Sequence, residues 1–129
     1  MKKVSILDYG VGNLKSIKNA LISLDSDPIL INSYNEIVNA DFLILPGVGA
    51  FKSAMSKLRD QSFDKAIYEF IKKGNPFLGI CLGMQMLFDQ SSEFEISEGL
   101  GLIEGNVKKI TVKKRYRLPN IGWNYIQKP

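Results

Sequence analysis

The sequence predicts an α/β fold built on an open, mostly parallel, doubly wound sheet. Three observations lead there. Short apolar runs alternate with longer stretches of helical periodicity, glycine-bearing turns follow several of those runs, and the pattern changes to extended, lysine-rich segments after Gly99. Alternation of this kind puts helices on both faces of a parallel sheet and gathers ligands at the carboxyl ends of its strands.

Each element has its own warrant. Val4-Ser-Ile-Leu-Asp8 reads as a buried strand ending in a carboxylate, Gly10-Val-Gly-Asn13 as a turn, and Leu14 to Leu24 as a helix with an apolar stripe at Leu14, Ile17, Leu21 and Leu24. Pro28-Ile-Leu-Ile-Asn32 reads as the second strand and Phe42-Leu-Ile-Leu-Pro46 as the third. Gly47-Val-Gly-Ala50 then opens a helical stretch from Phe51 through Ile71, in one or two pieces, that ends near Gly74. Phe77 to Ile80 is the fourth strand and runs into Cys81, followed by a helix-like stretch from Met84 to Phe88. Beyond Gly99, Gly101 to Gly105, Val107 to Val112 and Tyr116 to Ile126 read as extended antiparallel segments near the C-terminus. The cluster Lys108, Lys109, Lys113, Lys114, Arg115 and Arg117 fits either a solvated hairpin or a surface that steers an acidic partner or a phosphate.

Composition narrows the function classes. With 129 residues, 45% of them apolar and 23% charged, the chain has the make-up of one compact globular domain. Seventeen Lys and Arg against 13 Asp and Glu give a formal charge of +4, which suits anionic metabolites or an acidic partner face and does not by itself suggest nucleic acid. The single cysteine cannot form an internal disulfide, and the amino-terminal apolar run meets Asp8 too soon for a signal peptide, so a cytoplasmic location is expected. No apolar run approaches the ~20 residues of a membrane span.

Cys81 is the most informative residue. In Gly79-Ile-Cys-Leu-Gly83 it sits between an apolar run and a helix-like stretch, with a glycine two positions to either side. That is the layout of a nucleophile elbow, a sharp strand-to-helix turn that lifts the side chain clear of the backbone. Amides at the start of the following helix favour the thiolate, yet a helix end alone is rarely enough, so a base within hydrogen-bond reach is expected. The chain contains no histidine.

Five blocks in order, Asp8-Tyr-Gly-Val-Gly-Asn-Leu14, Leu45-Pro-Gly-Val-Gly-Ala-Phe51, Gly79-Ile-Cys-Leu-Gly-Met-Gln85, Gly101-Leu-Ile-Glu-Gly-Asn-Val107 and Ile121-Gly-Trp-Asn124, resemble the class I glutamine amidotransferases. Within that class they are most similar to the glutaminase subunit of imidazole glycerol phosphate synthase, an enzyme of histidine biosynthesis. The resemblance runs from residue 4 to residue 126 and implies a flavodoxin-like sheet, with residues 1–129 as the amino-terminal part of a single domain and therefore an incomplete one. It implies hydrolysis of glutamine through a cysteine thioester and delivery of ammonia to a barrel-type cyclase subunit, with no cofactor, no metal, no nucleic acid and no membrane.

By resemblance, Cys81 is the nucleophile. The oxyanion hole takes the backbone amide of Leu82 and, after a peptide flip eased by flanking glycines, that of Val48. Gly49 lies against the substrate backbone, Gln85 holds the substrate one helical turn from the sulfur, and Glu93 suits its ammonium group. Asn13, Asn120 and Trp123 match the face toward the synthase partner.

Two departures qualify the match. The family's histidine base and its orienting glutamate fall beyond the position matching Pro129, so the sequence reads as part of a longer enzyme. Asn120 also stands where many relatives have histidine, which points to a paralogue that amidinates a surface glycan or nucleotide sugar. Other readings remain open at this level: a cysteine or esterase-like hydrolase on a related elbow, or a non-catalytic flavodoxin-like binding module with an inert Cys81. Gly10-Val-Gly12 reads as ordinary turn chemistry, and Trp123 fits an inward-packing core position as well as an interface.

Overall fold

The computed structural model describes residues 2–129. Its elements run β1 (Lys3–Leu7), α1 (Leu14–Ile22), β2 (Asp27–Ile31), α2 (Tyr34–Val38), β3 (Leu43–Leu45), α3 (Phe51–Asp60), α4 (Phe63–Lys72), β4 (Phe77–Gly79), α5 (Leu82–Gln85), β5 (Phe88–Ser91), β6 (Ser97–Glu98) and β7 (Ile103–Val107). The first four strands form one sheet in the order β2-β1-β3-β4. All its pairings are parallel, with Leu7 opposite Ile31, Ile6 opposite Ile44 and Leu45 opposite Gly79. A second, three-stranded sheet has the order β6-β5-β7. The doubly wound α/β class expected from the sequence is therefore the one observed.

Strand alternation decides where the core lies. Leu7, Ile31, Leu43 and Leu45 join Ala54, Met55 and Leu58 of α3, Phe63, Ala66, Ile67 and Phe70 of α4, and Ile37 of α2 in one buried cluster. Phe70 is fully buried and meets Phe77 edge to face, with ring centroids 6.1 Å apart. The opposite face of the sheet lies under α1, which shields it only in part. No residue of α1 is fully buried, Leu78 is 55% exposed, and a trough of about 280 Å³ runs between Ile17, Leu21 and Leu24 on the helix and Ile44, Leu78 and Ile80 on the sheet.

Local chemistry sets the helix boundaries. Asn13 caps α1, its Oδ1 accepting from the Ser16 N–H at 3.2 Å. Ser33 and Glu36 form a reciprocal capping box on α2: the Glu36 N–H donates to Ser33 Oγ at 3.4 Å, while the Ser33 hydroxyl and the Asn32 N–H donate to the Glu36 carboxylate at 2.7 and 3.2 Å. The helical stretch after Ala50 comes in two pieces because Ser62 adopts a left-handed conformation, φ +57°, between α3 and α4. Gly74, at φ +76°, ends the second piece.

The carboxyl-terminal reading needs correction. Antiparallel pairing is present, but between β5 and β6, while β7 pairs with β5 in parallel. Of the segments 101–105, 107–112 and 116–126, the first supplies residues 103–105 of β7 and the second only Val107, and residues 108–129 are exposed throughout. A strand exists by pairing, and no element among the described residues pairs with this stretch.

Phe70→Ala is expected to cost about 3 to 5 kcal/mol in urea unfolding, because the vacated space lies at the centre of a closed cluster. Phe94→Ala, at a side chain 93% exposed, should change stability by less than about 0.5 kcal/mol. The bonds from Ser33 and then Asn32 hold the Glu36 carboxyl below its ordinary value of 4.5. A depressed folded-state value makes the contribution complete above that ordinary value and lost as pH falls through the lower one. A pH titration of stability should therefore show a shallower acid limb in Glu36→Gln.

Candidate active site

β1, β3 and β4 are neighbours that end at one edge of the sheet, so the turns that follow them meet. In the turn after β4, Cys81 is exposed and holds φ +56° and ψ −118°. For a side chain with a β-carbon that conformation costs about 1 to 3 kcal/mol and persists only where the surroundings impose it. The surroundings are backbone. A β-carbon on Gly83 would lie 2.0 Å from the Leu45 carbonyl oxygen, and one on Gly47 would lie 2.7 Å from the Gly83 nitrogen. The Ile80 N–H also donates to the Leu45 carbonyl at 3.0 Å. The cysteine turn and the turn after β3 are thus locked together backbone to backbone at Gly83 and Gly47.

The helix behind Cys81 differs from the expected one. α5 is a single turn, Leu82–Gln85, and Phe88 already belongs to β5. Its continuation is diverted because the Met86 carbonyl accepts from Leu100 N–H at 2.8 Å, and the Leu87 carbonyl accepts from Leu102 and Ile103 N–H at 2.8 and 3.0 Å. So short a helix has little macrodipole. What the turn offers a substrate is its individual N–H groups. Neither the Leu82 nor the Val48 N–H is given to a backbone acceptor among the described residues. Val48 is 53% exposed, and Gly49 holds φ +91° with open space where a β-carbon would stand.

The remaining sequence-predicted residues divide into two groups. Gln85 is half-buried one turn beyond Cys81, its N–H donating to the Cys81 carbonyl at 3.2 Å. Glu93 is half-buried and lines a hollow of about 80 Å³ with Ala50, Phe51 and Ser91, beside the loop that carries Gly49 but without Cys81 in its lining. An exposed Lys52–Glu95 ion pair of 2.9 Å sits at the same rim. Asn13, Asn120 and Trp123 are all exposed, with no hydrogen bond joining Asn13 to the other two among the described residues. Asn13 already has a role as a helix cap, and Trp123 is fully exposed, which excludes the inward-packing alternative.

Sequence reasoning overlooked Tyr9. Its hydroxyl donates to the Pro46 carbonyl at 2.7 Å from a site that is only 3% exposed. An aromatic residue after a strand looks like ordinary core, and nothing in the pattern distinguishes it.

Comparison with known proteins places the chain. The family model for glutamine amidotransferase class-I matches residues 5–127. This chain belongs to that family. The class-I amidotransferase chain is 48% identical over 128 residues to imidazole glycerol phosphate synthase subunit HisH 1 of Legionella pneumophila (strain Lens), covering 96% of itself and 60% of that relative. It is 46% identical over 125 residues to the HisH subunit of Bacillus cytotoxicus, covering 97% and 59%. The chain therefore spans about 60% of the length of these curated relatives. A crystal structure of a glutamine amidotransferase shares the fold, with a TM-score of 0.69, 20% identity, and coverage of 81% of this chain and 56% of that one.

In this amidotransferase chain, Gly83→Ala should cost about 3 kcal/mol or more in urea unfolding, because backbone meets backbone and no side chain can yield. Gly122→Ala, where nothing lies within 4 Å of the added carbon, should be close to neutral on the same measurement.

Proposed function

We propose that this chain is the nucleophile-bearing part of a single glutaminase domain, the subunit of imidazole glycerol phosphate synthase that hydrolyses glutamine for histidine biosynthesis in the cytoplasm. The observation that carries the reading is an exposed cysteine in a strained elbow, interlocked with a glycine-rich loop, in a chain of this family. The relatives named as HisH subunits support the choice of synthase.

Each residue then has a chemical task. Cys81 Sγ, as thiolate, attacks the side-chain carbonyl carbon of glutamine, and the carbonyl electrons move onto oxygen. The Leu82 and Val48 amides face that oxyanion, an interaction worth about 3 kcal/mol of barrier per donor. The carbon–nitrogen bond breaks as the leaving group takes up a proton, releasing ammonia and leaving a thioester. Water then attacks the thioester, freeing glutamate and the thiolate. Gln85 and Gly49 position the substrate, and Glu93 pairs with its ammonium group. Asn13, Asn120 and Trp123 face a barrel-type cyclase subunit that consumes the ammonia. The proton is not carried by a histidine of residues 1–129, which have none.

A diazo-ketone glutamine analogue, applied to the complete gene product with its synthase partner and followed by peptide mass spectrometry, should label Cys81. Labelling at another residue, or full ammonia release by Cys81→Ala, would overturn the assignment. For lack of a histidine, residues 1–129 on their own should release ammonia from glutamine at a negligible rate in a coupled glutamate assay.

A further inference from the structure

The turn after β3 has a fixed stem and a free tip. Its stem is held from three sides. Pro46 is fully buried, a β-carbon on Gly12 would lie 2.8 Å from Pro46 Cβ, and Gly47 abuts the Gly83 nitrogen and the Leu82 side chain. The tip is different, since Val48 is half-exposed and Gly49 faces open space. Tyr9 marks the boundary. Its hydroxyl donates to the Pro46 carbonyl at 2.7 Å and touches Met86 Sδ at 3.6 Å, at the end of the helix that begins with Leu82.

The consequence follows from backbone geometry. The proline ring fixes φ of Pro46, and a hydrogen bond to its carbonyl fixes ψ. With the Pro46–Gly47 peptide plane pinned, Gly47 is the single pivot left between that plane and the Val48 N–H. The same hydroxyl also contacts the residue that closes α5, so both amides assigned to the oxyanion hole are referenced to one buried group. The site is apolar enough that burial raises the Tyr9 pKa well above its ordinary value, so the hydroxyl keeps the proton it donates.

We propose that Tyr9 is a positioning residue for the oxyanion loop, its hydroxyl pinning the Pro46 carbonyl so that the Val48 amide is presented to Cys81 from a fixed plane. This rests on the glutaminase reading above. Removing the hydroxyl leaves the Pro46 carbonyl buried without a partner, which favours rotation of that peptide. The loop that carries the Val48 donor then loses its reference, while Cys81 and the groups that hold glutamine keep theirs.

The test is Tyr9→Phe in the complete gene product bound to its synthase partner, with steady-state glutaminase kinetics and alkylation by iodoacetamide measured side by side. The expected result is a fall in kcat of about tenfold or more, since misplacing a group that meets the transition state lowers rate without lowering affinity. KM for glutamine and the iodoacetamide rate at Cys81 should stay within about twofold, because neither depends on the oxyanion donors. Placing 4-aminophenylalanine at position 9, which restores an N–H donor, should recover most of kcat. A folded Tyr9→Phe protein with unchanged kcat and only a lowered melting temperature would overturn the inference, as would a loss of kcat that the amino analogue fails to rescue. In either case, turnover by the unsubstituted complex and its labelling at Cys81 would leave the glutaminase reading standing. An unsubstituted complex with no glutaminase activity would remove both.

Discussion

The direct contact of backbone on backbone between Leu45–Gly47 and Leu82–Gly83 is the constraint on which the rest of the molecule depends. It requires glycine at position 83, where a β-carbon would sit 2.0 Å from the Leu45 oxygen. It also requires β3 and β4 to be adjacent in the sheet, as the order β2-β1-β3-β4 makes them. Side chains can change rotamer, but two peptide planes in contact cannot, so the spacing between the cysteine turn and the glycine loop is set by the chain itself. Enough rigidity remains at Cys81 to hold a β-carbon at φ +56°.

Sheet topology explains why these groups meet at all. β1 is flanked by β2 on one side and β3 on the other, so successive crossovers leave in opposite directions at the carboxyl edge. The place where they diverge is the switch point at which ligands of doubly wound sheets gather. Tyr9 follows β1 and Pro46 follows β3, and their hydrogen bond spans that point. Chain segments 37 residues apart are thereby joined beside the turn after β3.

Much of this was legible in the sequence. The four parallel strands, the helix start after Ala50, the stop at Gly74 and the sharp turn at Cys81 follow from apolar runs and glycine placement, which are local signals. Helix α2 was missed although Ser33-Tyr-Asn-Glu36 has the spacing of a capping box, because a five-residue helix offers almost no periodicity to accompany it. The shortness of α5 was not legible, since the carbonyls of Met86 and Leu87 are claimed by amides from residues 100–103. The segment 107–126 alternates like a strand, yet alternation records only a face that could be buried. Pairing depends on a partner elsewhere, and that is a non-local fact. Tyr9 was hidden for the same reason, because its importance lies in the carbonyl it meets.

The twisted backbone at Cys81 also separates two kinds of pressure on that codon. For folding alone, a residue without a β-carbon would sit there more comfortably, and such a replacement would relieve the conformational tension outright. If the proposed nucleophile were not needed, glycine at this position would give the more durable fold. A thiol held in so strained a pose is what the proposed nucleophile role, and not the architecture, accounts for.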